Sequence, residues 1–206
     1  MEIARAAAAL FVRNGLRATR AEDIAQAAGI APRTFYRYFA TKEEAVAPLY
    51  AAGAQRWAEA LRDAPAHLPV TEALEHAVRH TLTPGAGVSA ASWEWVRTLV
   101  HLAHTSPALR KVWAEVCQAS EDTLSQALAA RTTPCTHRDD NVAVRHPVTP
   151  VPPVTPRLRF AAAVAGAAVR VAVESWASGT APATGPDGPA ELALRNLEAL
   201  RDFPWT

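Results

Sequence analysis

Residues 6–44 read AAAALFVRNGLRATRAEDIAQAAGIAPRTFYRYFATKEE, and the fold follows from how this stretch divides. Ile3, Ala6, Ala7, Leu10 and Phe11 recur at the spacing that lines one face of a helix, and Gly15 supplies a C-terminal stop after Arg13. Thr19-Arg20-Ala21-Glu22 has the S/T-x-x-E form of a capping box, which predicts a second helix through RAEDIAQAA that ends at Gly29. Only Gly29 and Ile30 separate it from a third helical stretch, so the two helices turn sharply on one another as a helix-turn-helix. Ile24, Ala25, Ala28, Ile30 and Phe35 are its expected core. A second S/T-x-x-E run, Thr41-Lys42-Glu43-Glu44, opens a fourth helix expected to reach Arg62, ahead of Pro65 and Pro69. Pro48 lies inside that helix. An interior proline removes a helical hydrogen bond and costs about 3 kcal/mol, so a kink or break is expected near Ala47.

Outward from this stretch the periodicity stays helical, and the predicted class is all-α with about nine helices. Val70 to Leu82 and Ser89 to His104 read as helices five and six. Helix seven begins at Pro107 after the cap candidate Ser106 and runs to Arg131. Residues 132–156 carry six prolines with little apolar periodicity and are expected to form a long loop. Helix eight, Arg157 to Ser178, is apolar almost all round apart from Arg170 and Glu174, so it must be covered on most sides. A Gly/Pro loop leads to an amphipathic helix nine within Ala190–Phe203.

Composition narrows the partners. The 206-residue chain has a net charge of +1, so any attraction to a polyanion must come from a local patch. Ala31 to Lys42 is such a patch: Arg33, Arg37 and Lys42 stand there without an acid. Two cysteines are too few for a disulfide scaffold or a four-cysteine zinc site and suit a reducing cytoplasm. The N-terminal apolar stretch is interrupted by Arg5 and falls short of the roughly 20 residues a spanning helix needs, so no signal peptide or membrane span is expected.

Taken together, the words A-x-x-L-F-x-x-x-G, D-I-A-x-x-A-G, T-F-Y-x-Y-F and K-E, read from Ala7, Asp23, Thr34 and Lys42, make the chain resemble the TetR family of bacterial transcriptional repressors. The likeness is close from Ile3 to Val46 and rests on helix order beyond. It implies a DNA-binding domain over 1–46, a ligand-binding and dimerisation domain over 47–206, and double-stranded operator DNA as partner. Thr34, Tyr36, Tyr38 and Lys42 match positions that in the family touch the DNA backbone, and Pro32 and Arg33 match positions that reach bases. Arg33 bonding a guanine in bidentate fashion would contribute about 1–3 kcal/mol of discrimination. Arg37 is expected toward solvent or phosphate, and Phe35 and Phe39 in the core. Ala31 and Arg33 depart from the pattern, which prefers a capping residue and a glycine. A lost cap typically costs about 1 kcal/mol. The resemblance also implies that the basic arm many relatives carry ahead of the first helix is missing here.

The later helices are similar, more loosely, to regulators that bind acyl-CoA-like or other hydrophobic ligands. Trp57, His80, Trp93, Arg97, Val100, His101, His104, Trp113 and Trp176 are the candidate pocket residues, a mostly apolar set with a few polar groups. The likeness further implies a homodimer through Arg157–Ser178 and Ala190–Phe203, with Gly166 permitting close helix approach. His76 and His80 stand at i, i+4 and His101 and His104 at i, i+3, which is metal-ligand spacing, but no cysteine or acid completes a set. Cys135, His137, Asp139, Asp140 and His146 fall in the proline-rich loop, which offers no fixed geometry. No metal, no cofactor and no catalytic constellation is expected. The leading expectation is a cytoplasmic, homodimeric repressor released from its operator by a small hydrophobic ligand. The alternative is an all-α small-molecule-binding protein or enzyme with a degenerate helix-turn-helix.

Overall fold

The computed structural model describes residues 1–85, 92–132 and 153–205, and its regular elements there are helical. Helices α1 (Glu2–Asn14), α2 (Ala21–Ala27) and α3 (Pro32–Tyr38) form the N-terminal unit. A 3-10 turn, Glu43–Val46, leads into α4 (Ala47–Asp63). Then follow α5 (Val70–Leu82), α6 (Trp93–Thr105), α7 (Pro107–Thr132), α8 (Pro156–Ser178) and α9 (Pro189–Glu198). Cys135, His137, Asp139, Asp140 and His146 lie outside the described residues.

The two capping signals resolve differently from expectation. Thr19 is fully buried and does not cap α2; its hydroxyl donates to the carbonyls of Leu10 at 3.3 Å and Gly15 at 2.9 Å. Burial in the α1–α2 corner leaves that hydroxyl nearer the end of α1 than its own helix. The reciprocal acid is Asp23, whose Oδ2 accepts from the Arg20 backbone N–H at 2.8 Å. At the second signal, Thr41 Oγ1 accepts from Glu44 N–H at 3.3 Å, and Glu44 reaches back one residue further, to Ala40 N–H at 2.9 Å. The segment does break at Ala47: the 3-10 turn ends there and Pro48 stands in the first turn of α4, where its missing N–H costs nothing.

Three apolar clusters hold the chain together. The N-terminal one joins Phe11, Ile24 and Phe35 to Val46 and Tyr50, and then to Leu99 and Ala103 of α6 and Leu109 and Val112 of α7. The helix-turn-helix core is therefore continuous with the helical body. The largest cluster brings α4 and α5 against α7, α8 and α9, around Leu61, Leu74, Leu128 and Leu197. The third is built on Trp93, Val100 and Trp176. α8 is long and apolar enough to cross a membrane by length and composition, with a mean hydropathy of 1.3. Its Ala161, Ala162, Ala165 and Ala172 are instead packed in the largest cluster.

Two guanidiniums fasten loops to this body. Arg131 at the end of α7 donates to the carbonyls of Leu61, Ala64, Pro65 and Leu68, at 3.3, 2.7, 2.8 and 3.2 Å, closing the C-terminus of α4. Carbonyls at and beyond a helix C-terminus are short of helical donors, and a planar fork reaches several at once. Arg97 on α6 does the same for the α8–α9 connection. It donates to Trp176 O at 3.2 Å, Gly179 O at 2.6 Å and Ala181 O, with its guanidinium carbon 4.1 Å from the centre of the Trp176 ring.

Candidate functional site

The turn before α3 depends on Gly29, whose φ of 68° lies in the left-handed region that a side chain disfavours. Pro32 then starts α3 with its φ already helical, and Ala31 gives no side-chain cap; its carbonyl takes the Thr34 and Phe35 N–H groups at 2.9 and 3.2 Å. Phe35 anchors the helix. It is fully buried, edge-on to Tyr36 at 5.6 Å and tilted against Phe39 at 5.4 Å.

With Phe35 inward, the opposite face is set. Pro32, Arg33, Tyr36, Arg37 and Tyr38 are exposed, Tyr36 and Tyr38 to 52% and 60%, and Thr34 is half-buried. The Arg37 guanidinium lies 5.0 Å over the Tyr38 ring and donates to its hydroxyl at 3.2 Å, which holds the cation flat against the surface. Tyr36 donates to Glu22 Oε1 of α2 at 3.2 Å. Desolvation and that carboxylate hold its phenol above the ordinary value. Glu22 is also 3.4 Å from Arg20. Lys42 is not offered outward as the family pattern implies: its Nζ donates to Leu16 O at 2.6 Å and Thr19 O at 2.7 Å, because it reaches back over the α1–α2 corner. What remains is a short helix with two exposed arginines, one of them laid on Tyr38, and two aromatic hydroxyls on one side, dimensions and chemistry that suit a B-DNA major groove flanked by phosphates.

Behind this unit, α4, α5, α6, α7 and α8 enclose an apolar cavity of about 210 Å³. Trp57, Trp93 and Trp113 supply its aromatic walls, and Val100, Val169 and Val173 its aliphatic ones. Gly53 and Gly166 line it with open space where a Cβ would stand, so Gly166 faces the cavity and does not serve a close helix contact within the chain. Tyr50 forms one end. It donates to Leu99 O at 2.9 Å and packs edge-on against Trp113 at 4.9 Å, and burial raises its phenol further out of reach of ionisation. Adjoining is a more polar cleft of about 490 Å³ bordered by His104, Arg110, Gln118 and Glu121. Val100, Trp113, Cys117 and Arg170 belong to both. Between them Glu174 accepts from Trp113 Nε1 at 2.6 Å and pairs with Arg170 at 3.1 Å. Burial pushes the Cys117 thiol up to about 11.

Of the residues expected around a pocket, Trp57, Trp93, Val100 and Trp113 meet at the cavity and His104 at the cleft. His80 and His101 are exposed, His80 at the edge of the buried face of α5 and His101 on the far side of α6 from its buried positions. Arg97 is consumed by the α8–α9 carbonyls, and Trp176 is 1% exposed, edge-on to Trp93 at 5.4 Å with Nε1 donating to Ala181 O and Pro182 O. Tyr50, Cys117, Arg170 and Glu174 were missed by pattern reading. The one trace of the last two was a charged i, i+4 pair in an otherwise apolar α8. The His76 and His80 rings stack 6.5 Å apart, and among the described residues no three His, Cys, Asp or Glu gather where they could hold a metal.

Residues 3–47 match the family model of bacterial regulatory proteins, tetR family. The HTH-type transcriptional regulator TcmR of Streptomyces glaucescens is 30% identical over 135 residues, 63% of this chain and 58% of that protein. The HTH-type transcriptional repressor KstR2 of Mycobacterium tuberculosis is 51% identical over 45 residues, 22% of each chain. The chain thus spans less than two thirds of these relatives. Among solved structures, Thermus thermophilus FadR, a TetR-family repressor captured with lauroyl-CoA, superposes with a TM-score of 0.61 at 22% identity, covering 100% of this chain and 94% of that one. A transcriptional regulator from Rhodococcus superposes with a TM-score of 0.52 at 17% identity over 98% of this chain and 95% of that one. At such identities these structures speak to the fold, which they share over its whole length. By the words of its first three helices and by the match over residues 3–47, the N-terminal unit of the chain is similar to the tetR family of bacterial regulatory proteins.

Proposed function

We propose that this protein is a homodimeric transcriptional repressor that binds operator DNA through α3 and leaves it when a small hydrophobic molecule enters the α4–α8 cavity. The observation that carries the reading is the two-faced α3: Phe35 buried at 0%, and Arg33, Tyr36, Arg37 and Tyr38 exposed on the other side. In this reading residues 1–46 form the DNA-binding unit, with Pro32 and Arg33 at base edges and Thr34, Tyr36, Arg37 and Tyr38 at phosphates. Tyr36 exchanges Glu22 for a phosphate on binding, and Lys42 supports the unit from within.

The dimer would form through α8 and α9. α8 leaves Phe160 and Val171 exposed to 61% and 45%, with Ala163 and Ala167 between them along the same side. A second copy would cover that stripe. Two recognition helices then address operator half-sites about 34–36 Å apart or a multiple of it. The cavity lies against α4 and α6, and both reach the N-terminal cluster through Tyr50, Leu99 and Ala103. A ligand that favours one tilt of α4 changes the half-site spacing, with Pro48 as pivot. FadR's lauroyl-CoA supports a long apolar effector as one class to try.

Binding of the DNA upstream of its own gene, read by fluorescence anisotropy with sedimentation velocity in parallel, tests this reading. A dimer with salt-dependent binding is expected, and Phe160→Glu with Val171→Glu should yield monomer and lose the DNA. Gly166→Leu fills the cavity and should keep DNA binding while abolishing the ligand response. No binding to that DNA at low salt would overturn the repressor assignment; unaltered DNA affinity and ligand response in Pro48→Ala would remove the pivot.

A further inference from the structure

The cavity holds two donors that the protein leaves unused. Trp57 on α4 and Trp93 on α6 are 7% and 3% exposed, both line the cavity, and neither indole N–H has a hydrogen-bond partner. A buried N–H without an acceptor is costly, and native interiors rarely keep one without a reason. The other polar groups of the wall are spent. Thr81 donates to Ala77 O at 2.7 Å, Ser120 to Cys117 O at 2.6 Å and Tyr50 to Leu99 O at 2.9 Å. Arg170 is neutralised by Glu174, which also takes the Trp113 N–H. Arg56 stands exposed at the rim with Nε on Ala52 O. Of the buried tryptophans that do not line the cavity, Trp176 gives its N–H to two carbonyls, whereas Trp205 shares the unpartnered N–H but packs on Phe203 in the α4–α9 cluster, away from the cavity, and so serves as the internal control.

We infer that the two indole N–H groups read the effector, and that it is a neutral, ring-containing apolar molecule with carbonyl-type oxygen acceptors, in place of a saturated hydrocarbon or a free carboxylate. This rests on the cavity being the ligand site. Aromatic walls from Trp57, Trp93, Trp113 and Tyr50 favour flat rings by stacking and edge contacts. The indole donors favour an uncharged acceptor, since Arg170, the half-exposed cation of the wall, already has its counter-ion in Glu174.

Three probes of one shape separate the possibilities: 2-acetylnaphthalene, 2-ethylnaphthalene and 2-naphthoate, titrated calorimetrically into the full chain with indole N–H resonances followed by NMR. The ketone should bind about tenfold more tightly than the hydrocarbon, in proportion to a gained hydrogen bond. It should move the Trp57 and Trp93 indole protons downfield and leave Trp205 in place. In Trp57→Phe/Trp93→Phe the ketone preference should vanish, and in Trp205→Phe it should persist. Equal affinity of ketone and hydrocarbon, with unmoved indole resonances, overturns the acceptor assignment and leaves the cavity reading standing. Preference for the carboxylate overturns the neutral class. No binding of any probe counts against both.

Discussion

Replacing Lys42 by methionine separates a structural from a DNA-contacting role for the residue that departs most from its family part. Methionine keeps most of the apolar stem and removes the ammonium, so the carbonyls of Leu16 and Thr19 lose donors at 2.6 and 2.7 Å. A hydrogen bond to a charged group contributes about 1.5–3 kcal/mol. These two share one ammonium, and Lys42 is half-buried with water in reach, so the pair should contribute about 2–3 kcal/mol. For a chain of this size about 2–4 °C of Tm accompanies each kcal/mol, which gives a fall of about 5–10 °C, read by circular dichroism at 222 nm. The helix-turn-helix core is continuous with α6 and α7, so the loss should appear in the main transition. A second assay is the salt dependence of operator binding, where each lost phosphate contact lowers the log–log slope by about 0.9. The variant should bind more weakly with the wild-type slope. Unchanged stability with a slope lower by about 0.9 would refute the structural role and make Lys42 a phosphate ligand.

Arg131→Lys keeps the charge but loses the fork that spans four carbonyls, and should lower stability by about 1–3 kcal/mol in urea unfolding; an unchanged midpoint contradicts the clamp. Arg33→Ala should relax discrimination at one guanine of the operator by about 1–3 kcal/mol, whereas Arg37→Ala should weaken all sequences alike and lower the salt slope by about 0.9, as competition with base-substituted duplexes would show. The Cys117 thiol is raised from 9.0 to about 11 by burial, so the folded state favours its neutral form. That stabilisation is whole below about pH 9 and is lost as pH rises toward 11, and alkylation by iodoacetamide in a Cys135→Ser background should still be accelerating at pH 10. A rate already level at pH 9 would contradict the burial.

Local chemistry made the helices readable in the sequence. Val70–Leu82 matched its expected bounds, because periodic apolar residues and bracketing prolines are properties of neighbours along the chain. The division of GIAPRTFYRYF followed for the same reason: at 3.6 residues per turn, Phe35 cannot share a face with both Arg33 and Arg37, so once one is buried the others must be exposed. The word-by-word likeness over Ile3–Val46 lies in the same short range.

What depended on distant partners could not be read. Thr19 looked like a cap and became a buried donor, since which carbonyl lies nearest is settled by how α1 folds onto α2. Lys42 turned inward because Leu16 and Thr19, more than twenty residues earlier, present carbonyls to it. Arg97, His80, His101 and Trp176 carried the right chemistry for a pocket and ended on a clamp, at the surface or in the core, because helix rotation decides which side a residue presents. Only the packing of α4, α6 and α8 brings Trp57, Trp93 and Arg170 to one cavity, and only it leaves two indole donors there without a partner. The sequence by itself determined the helices and the face of α3. Tertiary structure decided which polar groups were already spent, since hydrogen bonds are made to whatever lies within about 3 Å, whatever its place in the chain.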